Sequence, residues 1–465
     1  MAYIHVKDFK LGMDRRSARL NGPPGSLWTL ENGLINRAGE IERAKRFVST
    51  YTLPASTFGL HATATSLYVF GSASAPTMPS GVLYQRLQHE GGQAMAKIRD
   101  TENFGGKIYA IAEYANGDVR HFWDGTRISG WDGLGKATRC LTHKRRMYCI
   151  VAGSVYYSKL DAPDYPSGAD ADAGFIQVRN QTSLSETLVS LAPYQGSLAL
   201  FAKQSIQIWN MSEDDAQNAI SQIITNTGTA CAKSVQEYGS RDTFYLANSG
   251  VRSLRVREGQ SAAFVNDPGS PIDPVLSDIG RGLNFTERSN VCSVIDTLDG
   301  RFWMCVDGKV YVLSYFPSNK ISAWSYIDAG LDFTEMLVFE DRVYARAGDA
   351  IYLYGGASNA TYPSTGNLTV ELPFFDAGKA ATPKMFRGFD IACTGTWSVD
   401  LLVDPNKEAS SVRLGTVTGT SWGRPRMSFQ HETTHIAPKL VCPADGSAAT
   451  LSSLAIHYDE TPEAG

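Results

Sequence analysis

Residues 299–326 constrain the fold more than any other stretch of this sequence. They contain three apolar and aromatic runs separated by short turn signals, with Asp307-Gly308 between the first two. Asp-Gly suits a type I′ turn, because both central residues then need a positive φ and the twist of the turn matches the strands that it joins. The stretch therefore predicts three antiparallel strands in series.

Weaker versions of this unit recur along the chain. Their starts are 38 to 58 residues apart, a spacing typical of one four-stranded propeller blade each. In a propeller each blade buries both faces against its neighbours, so its inner strands can be apolar throughout. The predicted hairpins cover 61–70, 107–128, 145–159, 197–211, 243–256, 301–315 and 342–354. We therefore predict an all-β protein with a propeller of about six to seven blades, and a run of separate sandwiches is the rival interpretation.

After Gly355-Gly356 the apolar runs become longer, which favours a separate β-sandwich-like platform domain. Its predicted strands cover 369–375, 386–394, 396–403, 411–417, 426–430 and 451–457. The predicted domains are a basic N-terminal arm at 1–48, which docks on the platform or on a partner, a propeller at 49–361 and the platform at 362–465. Short helices are predicted at 213–224 and 272–279. The polar loops 72–81 and 161–174 are long enough to reach a neighbouring molecule.

Charge is distributed unevenly between the arm and the rest of the chain. The whole sequence has 43 basic and 47 acidic residues, and its formal net charge of −4 does not indicate nucleic-acid binding. The arm alone holds nine Lys and Arg against five acidic residues. The basic excess is therefore confined to the arm.

The arm also contains rigid turns, such as Asn21-Gly-Pro-Pro-Gly25, and apolar anchors, so we expect it to be docked. Two interpretations of its basic residues stay open. The arm packs on its own subunit with the arginines in water, or it contacts a partner subunit or a polyanion. The candidate partner-binding residues are Arg15, Arg16, Arg19, Trp28, Arg37, Arg43, Lys45 and Arg46.

No cofactor, metal site or enzyme activity is predicted. Seven scattered cysteines without a Cys-x-x-Cys pair indicate neither a disulfide framework nor a zinc ribbon. His431-Glu-Thr-Thr-His435 matches the zinc-protease pattern, with Glu460 at a tempting distance for a third ligand, but the pattern requires a helix. Here the β-branched Thr433 and Thr434 and the following Pro438 favour a strand. No signal peptide or membrane segment is predicted, and we expect synthesis in the cytosol.

Several stretches resemble tail nozzle proteins of short-tailed bacteriophages, including those called packaged-DNA stabilisation or tail tubular proteins. In the arm the resemblance rests on Asp8-Phe-Lys-Leu-Gly12, Asp14-Arg-Arg16, Pro23-Pro-Gly-Ser-Leu-Trp28, Asn32-Gly33, Asn36 and Gly39-Glu-Ile-Glu-Arg43. In the middle of the chain it rests on Gly228-Thr-Ala-Cys-Ala-Lys-Ser234, Tyr245-Leu-Ala-Asn-Ser-Gly-Val-Arg-Ser-Leu254 and Asp267-Pro-Gly-Ser-Pro-Ile-Asp273. These patterns are diffuse and include no catalytic signature.

The resemblance implies a propeller subunit with an added β platform, assembled in the virion tail as a homo-oligomeric ring, typically of six subunits. The ring would close the DNA-filled capsid below the portal and adaptor proteins and guide the genome out during ejection. Its implied partners are further copies of itself, the portal and adaptor, tail fibre or tailspike proteins and, transiently, double-stranded DNA. The alternative is a propeller that binds glycans or another protein, such as a receptor-recognition module.

Overall fold

The computed structural model describes residues 2–165, 172–181, 186–239, 241–259, 267–407, 410–422 and 427–460. Strands dominate it, and the first six lie in the N-terminal arm. These are β1 (Ala2–Val6), β2 (Gly12–Met13), β3 (Ser26–Leu27), β4 (Thr29–Glu31), β5 (Gly33–Ile35) and β6 (Ile41–Arg43).

The next strands form a seven-bladed β-propeller. β7 (Phe47–Thr52) belongs to the last blade. Blade 1 contains β8 (Phe58–Ala62), β9 (Leu67–Gly71) and β10 (Val82–Arg86), and blade 2 contains β11 (Met95–Phe104), β12 (Lys107–Tyr114), β13 (Val119–Trp123) and β14 (Thr126–Ile128). Blade 3 contains β15 (Ala137–His143), β16 (Arg146–Val151), β17 (Ser154–Tyr157) and β18 (Gly174–Ile176). Blade 4 contains β19 (Leu188–Tyr194), β20 (Ser197–Ala202), β21 (Ser205–Asn210) and β22 (Ala219–Thr225). Blade 5 contains β23 (Gln236–Tyr238), β24 (Asp242–Ala247) and β25 (Gly250–Ser253). Blade 6 contains β26 (Cys292–Asp296), β27 (Arg301–Val306), β28 (Lys309–Phe316) and β29 (Ile321–Asp328). Blade 7 contains β30 (Glu335–Phe339), β31 (Arg342–Ala347) and β32 (Ala350–Tyr354), together with β7.

The ring of blades is closed. The first strands of consecutive blades lie side by side from β8 through β11, β15, β19, β23 and β26 to β30, and β30 in turn contacts β8. β7, which continues from the end of the arm, pairs antiparallel with β32 and completes blade 7. A strand that precedes blade 1 in the sequence therefore closes the ring by pairing within the last blade.

Each pair of neighbouring blades encloses its own hydrophobic core, and seven such cores surround the ring. β27 shows the consequence in sequence, because all six of its side chains are buried. Trp303 on this strand is fully buried between blades 6 and 7, and Phe302 between blades 5 and 6. Burial on both faces is therefore what makes the inner strands apolar throughout, as predicted.

The stretch 299–326 forms β27, β28 and β29 as predicted. Asp307 and Gly308 have φ values of 51° and 70°, the positive pair that a type I′ turn requires. Trp303, Tyr311 and Trp324 are at most 1% exposed, so these aromatic side chains fill the core and offer no stacking surface. All seven predicted hairpins are present among the blades.

The platform is a sandwich of two sheets. Its C-terminal strands are β33 (Leu368–Glu371), β34 (Lys384–Thr394), β35 (Thr396–Leu402), β36 (Ser411–Thr418), β37 (Met427–Thr433), β38 (Ala437–Cys442) and β39 (Thr450–Glu460). One sheet has the order β37-β34-β39-β6-β5, with β1 also pairing with β39. The other continues blade 6, because β4 lies between β29 and β33 in an eleven-stranded sheet that includes β38, β35 and β36. The arm thus supplies strands to both sheets and joins the platform to the propeller.

Helices are few: α1 (Leu254–Gly259), α2 (Asp273–Gly282) and α3 (Phe285–Asn290), with 3-10 turns at Arg19–Asn21, Ser129–Trp131, Arg179–Gln181, Asp215–Gln217, Ala232–Ser234, Ser270–Ile272 and Pro317–Asn319. α2 agrees with the helix predicted at 272–279. None of the described helices is long and apolar enough to cross a bilayer. Part of the predicted loop 161–174, residues 166–171, lies outside the described residues.

Two local predictions were wrong. The helix predicted at 213–224 is instead a 3-10 turn followed by β22, because pairing with β21 completes blade 4 and overrides the local pattern. No strand was predicted at 437–442, where the structure has β38. Pro438 is tolerated in the middle of the sheet, where it lies opposite Leu401 and its carbonyl oxygen accepts from Leu372 N.

Candidate binding sites

The structure distributes the eight candidate arm residues over several environments. Arg15, Arg19 and Trp28 form one cluster: the guanidinium carbons of Arg15 and Arg19 lie 4.0 and 5.4 Å from the Trp28 ring centroid. Arg19 Nη2 also lies 3.4 Å from Glu371 Oε2 of the platform, and Lys439 Nζ lies 2.8 Å from Glu371 Oε1. This cluster therefore fastens the arm to its own platform.

Arg43 is an internal residue. It is 3% exposed, and its Nη1 donates to Asp445 Oδ1 at 2.6 Å and to the carbonyl oxygen of Ser447 at 2.9 Å. Its Nη2 donates to the carbonyl oxygen of Pro443. The guanidinium thus organises the loop before β39 and has no exposed face for a partner.

Arg16, Arg37 and Arg46 are the exposed members of the set. Arg37 Nη2 donates to the carbonyl oxygen of Leu298 at 2.9 Å, so it reaches across to the hairpin between β26 and β27. Leu298 is itself 58% exposed. Among the eight candidates, these three arginines are therefore the ones whose side chains a second molecule can reach.

Lys45 and Arg46 line a cavity of about 330 Å³ at the seam between the propeller and the platform. Lys45 Nζ donates to Asn359 Oδ1 at 3.0 Å, and burial lowers the pKa of this ammonium group. The other wall carries Asp328, whose Oδ1 accepts from Gly330 N. The remaining lining residues are Asn32, Ala44, Phe47, Ser49, Ile327, Ala329, Gly330, Leu331, Tyr352, Pro363, Ser364 and Thr365.

A second cavity, of about 320 Å³, lies among the first strands of six blades, on the propeller axis. Two ion pairs at this cavity link different blades: Asp100 Oδ1 lies 2.8 Å from Arg139 Nη1, and Lys233 Nζ lies 3.5 Å from Glu335 Oε1. The nearby Glu102 has its pKa raised to about 8 by burial and then by the charge of Asp100. The axial cavity is therefore narrow and held together by ion pairs.

The zinc-protease pattern does not form a metal site. His431 lies in β37 and His435 follows it, so they are not one turn apart on a helix. Glu460 pairs with Lys379 at 2.5 Å. No group of three or more potential metal ligands occurs within the described ranges. The seven cysteines, all of them within those ranges, are buried free thiols.

An exposed aromatic group on the platform was missed by the sequence analysis. Tyr3 and His5 of β1, His457 of β39 and Trp422 lie together, and Tyr3 and Trp422 are 63% and 44% exposed. Alternation of Tyr3 and His5 with Ile4 and Val6 was a visible signal for a strand with an aromatic outer face. The sequence could not show that β1 pairs with β39 at the other end of the chain.

No family model matches this chain, and no curated protein matches its sequence. Among solved structures, BamB from Moraxella catarrhalis is 11% identical, with a TM-score of 0.38 over 66% of this chain and 96% of that chain. YCF48 bound to D1 peptide is 10% identical, with a TM-score of 0.37 over 67% and 97%.

An exo-β-1,3-galactanase from Phanerochaete chrysosporium is 10% identical, with a TM-score of 0.29 over 79% of this chain and 97% of that chain. Because these TM-scores are low, the fold assignment rests on the chain's own sheets. By its closed ring of seven blades, the chain is a β-propeller with an added β-sandwich platform.

Proposed function

We propose that this chain is a protein-binding assembly subunit, and that the assembly is a ring-shaped tail nozzle of a short-tailed bacteriophage. In this proposal the ring closes the DNA-filled capsid below the portal and adaptor and conducts the genome during ejection. The arm and mid-propeller motifs support it. The observation that carries it is the arm, whose β4 joins blade 6 to the platform and which continues into β7 of blade 7.

Strand pairing that is continuous between the two parts suits a conduit under load from packed DNA. The axial cavity of about 320 Å³ is far too small for a segment of duplex, and ion pairs tie its walls together. The DNA path in this proposal therefore lies between subunits. That arrangement requires a heterologous interface that closes by rotation.

The exposed arm arginines are our candidates for the contact with a neighbour or adaptor. Deleting residues 2–20 would remove β1 and β2 and test folding more than docking. We therefore reverse charges in place, in the triple variant Arg16→Glu, Arg37→Glu, Arg46→Glu. The matched control is Lys203→Glu, Arg281→Glu, Arg413→Glu, which changes three exposed basic residues outside the arm.

The test is particle mass and shape by light scattering and negative-stain microscopy, with and without capsids. We expect wild type and control to form rings with a bore wider than a duplex, and the arm variant to lose rings or their attachment to heads. If the arm variant forms rings that attach normally to heads, the exposed arm arginines are not part of the interface. If the wild-type protein is a monomer and also fails to join heads, the nozzle proposal is wrong.

The second candidate is a glycan- or protein-binding receptor-recognition module. The observation in its favour is the aromatic group around Tyr3 and Trp422, which is exposed on the platform. A glycan array with clear hits, together with a monomeric mass in solution and no incorporation into heads, would favour this candidate over the nozzle.

A further inference from the structure

Two of the seven cysteines face each other across the first two strands of blade 6. Cys292 of β26 lies directly opposite Cys305 of β27 in the antiparallel register. Directly opposed residues have Cα atoms about 4.5–5.5 Å apart, which is inside the range of about 4.4–6.8 Å that a disulfide spans. The strands therefore already hold the two thiols at a separation from which a disulfide can form.

The two thiols also interact with each other, and this sets Cys305 apart from the other cysteines. Cys292 Sγ lies 3.3 Å from the carbonyl oxygen of Phe333 and is also hydrogen-bonded to Cys305. The hydrogen bond with Cys292 lowers the pKa of the Cys305 thiol, although burial opposes this effect. Burial raises the pKa of each of the other six thiols. Because the thiolate is the nucleophile, Cys305 is the most reactive cysteine of the chain.

A small molecule can approach this pair along the propeller axis. Cys292 lines the axial cavity of about 320 Å³. The charges of Lys233 and Glu335, which line the same cavity, act on the Cys292 thiol. Both thiols are nonetheless buried, since Cys292 is 1% and Cys305 3% exposed. The site therefore favours a reagent of only a few atoms, such as hydrogen peroxide.

Blade 3 contains a second opposed pair that lacks these features. Cys140 of β15 lies directly opposite Cys149 of β16. Neither belongs to the described residues that line the axial cavity. Burial raises the pKa of both thiols, and Cys149 Sγ lies 3.6 Å from Oη of Tyr109. The blade 3 pair thus has the same strand geometry without the access and without a lowered pKa, which makes it an internal control.

We propose that Cys292 and Cys305 are a dithiol that a peroxide oxidises to a disulfide, and this inference is independent of the proposed function. The Cys305 thiolate attacks one oxygen of hydrogen peroxide, the O–O bond breaks, and a sulfenic acid forms while hydroxide leaves and takes up a proton. Cys292 sulfur then attacks the sulfenic sulfur, and the hydroxyl group leaves with the Cys292 proton as water. Two thiols and one peroxide thus give one disulfide and two water molecules. The disulfide closes the hairpin whose Leu298 carbonyl oxygen accepts from Arg37 of the arm.

The test maps thiols in the native full-length protein. The protein is reduced, freed of reductant and exposed to hydrogen peroxide without denaturant, and the remaining thiols are then alkylated in denaturant. Mass spectrometry of non-reduced peptides identifies the linked residues. We expect a link between Cys292 and Cys305 that dithiothreitol reverses, while Cys140 and Cys149 are recovered alkylated. The oxidised protein should also unfold at a higher temperature than the reduced protein, because the link constrains the unfolded chain.

Two variants sharpen the result. Cys305→Ala should abolish the link and leave Cys292 as a free thiol at the same peroxide concentration, because the reactive thiolate is gone. Cys149→Ala is the matched control, since it removes one member of the blade 3 pair and should form the blade 6 link at the wild-type rate. The wild-type map decides the question even if a variant folds poorly. Equal oxidation of both pairs, recovery of Cys305 as a free thiol, or a link that forms only in unfolding concentrations of urea would overturn the proposal.

Discussion

At the scale of single residues, Arg43 shows how a basic side chain that suggested a partner serves the fold. Its guanidinium is buried and donates to Asp445, Ser447 and Pro443. We expect Arg43→Met to lower the free energy of unfolding by about 3 kcal/mol, because three acceptors lose a charged donor. Urea denaturation measures it. The neighbouring exposed Arg46→Met should change stability by less than about 0.5 kcal/mol, and an equal effect of the two would contradict this role.

Glu102 makes stability depend on pH in the direction opposite to most carboxylates. The pKa of Glu102 is raised to about 8 in the folded protein, whereas the ordinary pKa of a glutamate is 4.5. The folded state therefore binds more protons between these values, and stability falls as pH rises through this window.

Glu102→Gln should remove that loss. We expect the variant to be more stable than wild type by about 1–3 kcal/mol at pH 8.5, and equal to it at pH 4, by urea denaturation at both values. Glu113→Gln is the contrast, because it breaks the 3.0 Å ion pair with Arg99 and should destabilise the protein at pH 8.5. A pH-independent effect of Glu102→Gln would contradict the assignment.

The roles of single residues were harder to predict from the sequence than the secondary structure or the fold. The sequence showed nine basic residues in the arm but not which of them are buried. Arg43 and Arg46 differ by three positions and have opposite environments, and only the path of β6 and β7 separates them. The exposed aromatic group around Tyr3 was equally hidden, since Tyr3 and His457 meet through pairing between the two ends of the chain.

At the scale of elements, local chemistry was a good guide wherever a turn and its strands agreed. Asp307-Gly308 and Asp124-Gly125 both have positive φ at the two positions, and both lie in predicted hairpins. The helix predicted in place of β22 was wrong, and β38 was missed, because pairing within a sheet decided both elements. β22 is stabilised by β21, and β38 lies between β33 and β35, which tolerate its proline.

β7 is the element on which ring closure depends, and Phe47 is its anchor. The Phe47 ring lies 4.7 Å from that of Phe333, 5.3 Å from Tyr354 and 6.3 Å from Trp303. We expect Phe47→Ala to destabilise the protein by about 3–4 kcal/mol, because it opens a cavity in the core between blades 6 and 7. Thermal and urea unfolding measure it.

Thr50→Ala is the control on the same strand, because Thr50 is exposed; its effect should stay within about 0.5 kcal/mol. A loss at Phe47 no larger than this would mean that β7 contributes little to closure.

At the scale of the whole molecule, the predicted division into arm, propeller and platform stays a prediction, while the topology shows how the three are connected. β4 lies between β29 of the propeller and β33 of the platform, and the eleven-stranded sheet runs through both. We therefore expect the propeller and platform to unfold together, in one calorimetric transition.

Two core variants test this coupling. Leu200→Ala in blade 4 and Leu401→Ala in the platform both remove fully buried side chains, and each should cost about 2–5 kcal/mol. Both should lower the midpoint of the same single transition in scanning calorimetry. Two transitions, each shifted by only one of the variants, would show that the halves unfold independently.

Closure of the propeller by β7 also sets the order in which the protein can be made. β7 leaves the ribosome before blade 1, but its partner β32 (Ala350–Tyr354) is translated only after the other six blades. At roughly 5–20 residues per second the nascent chain waits tens of seconds, with one strand of the last blade unpaired. Exposed strand edges promote pairing between chains. Crowded polysomes making this protein should therefore depend on chaperones until blade 7 emerges.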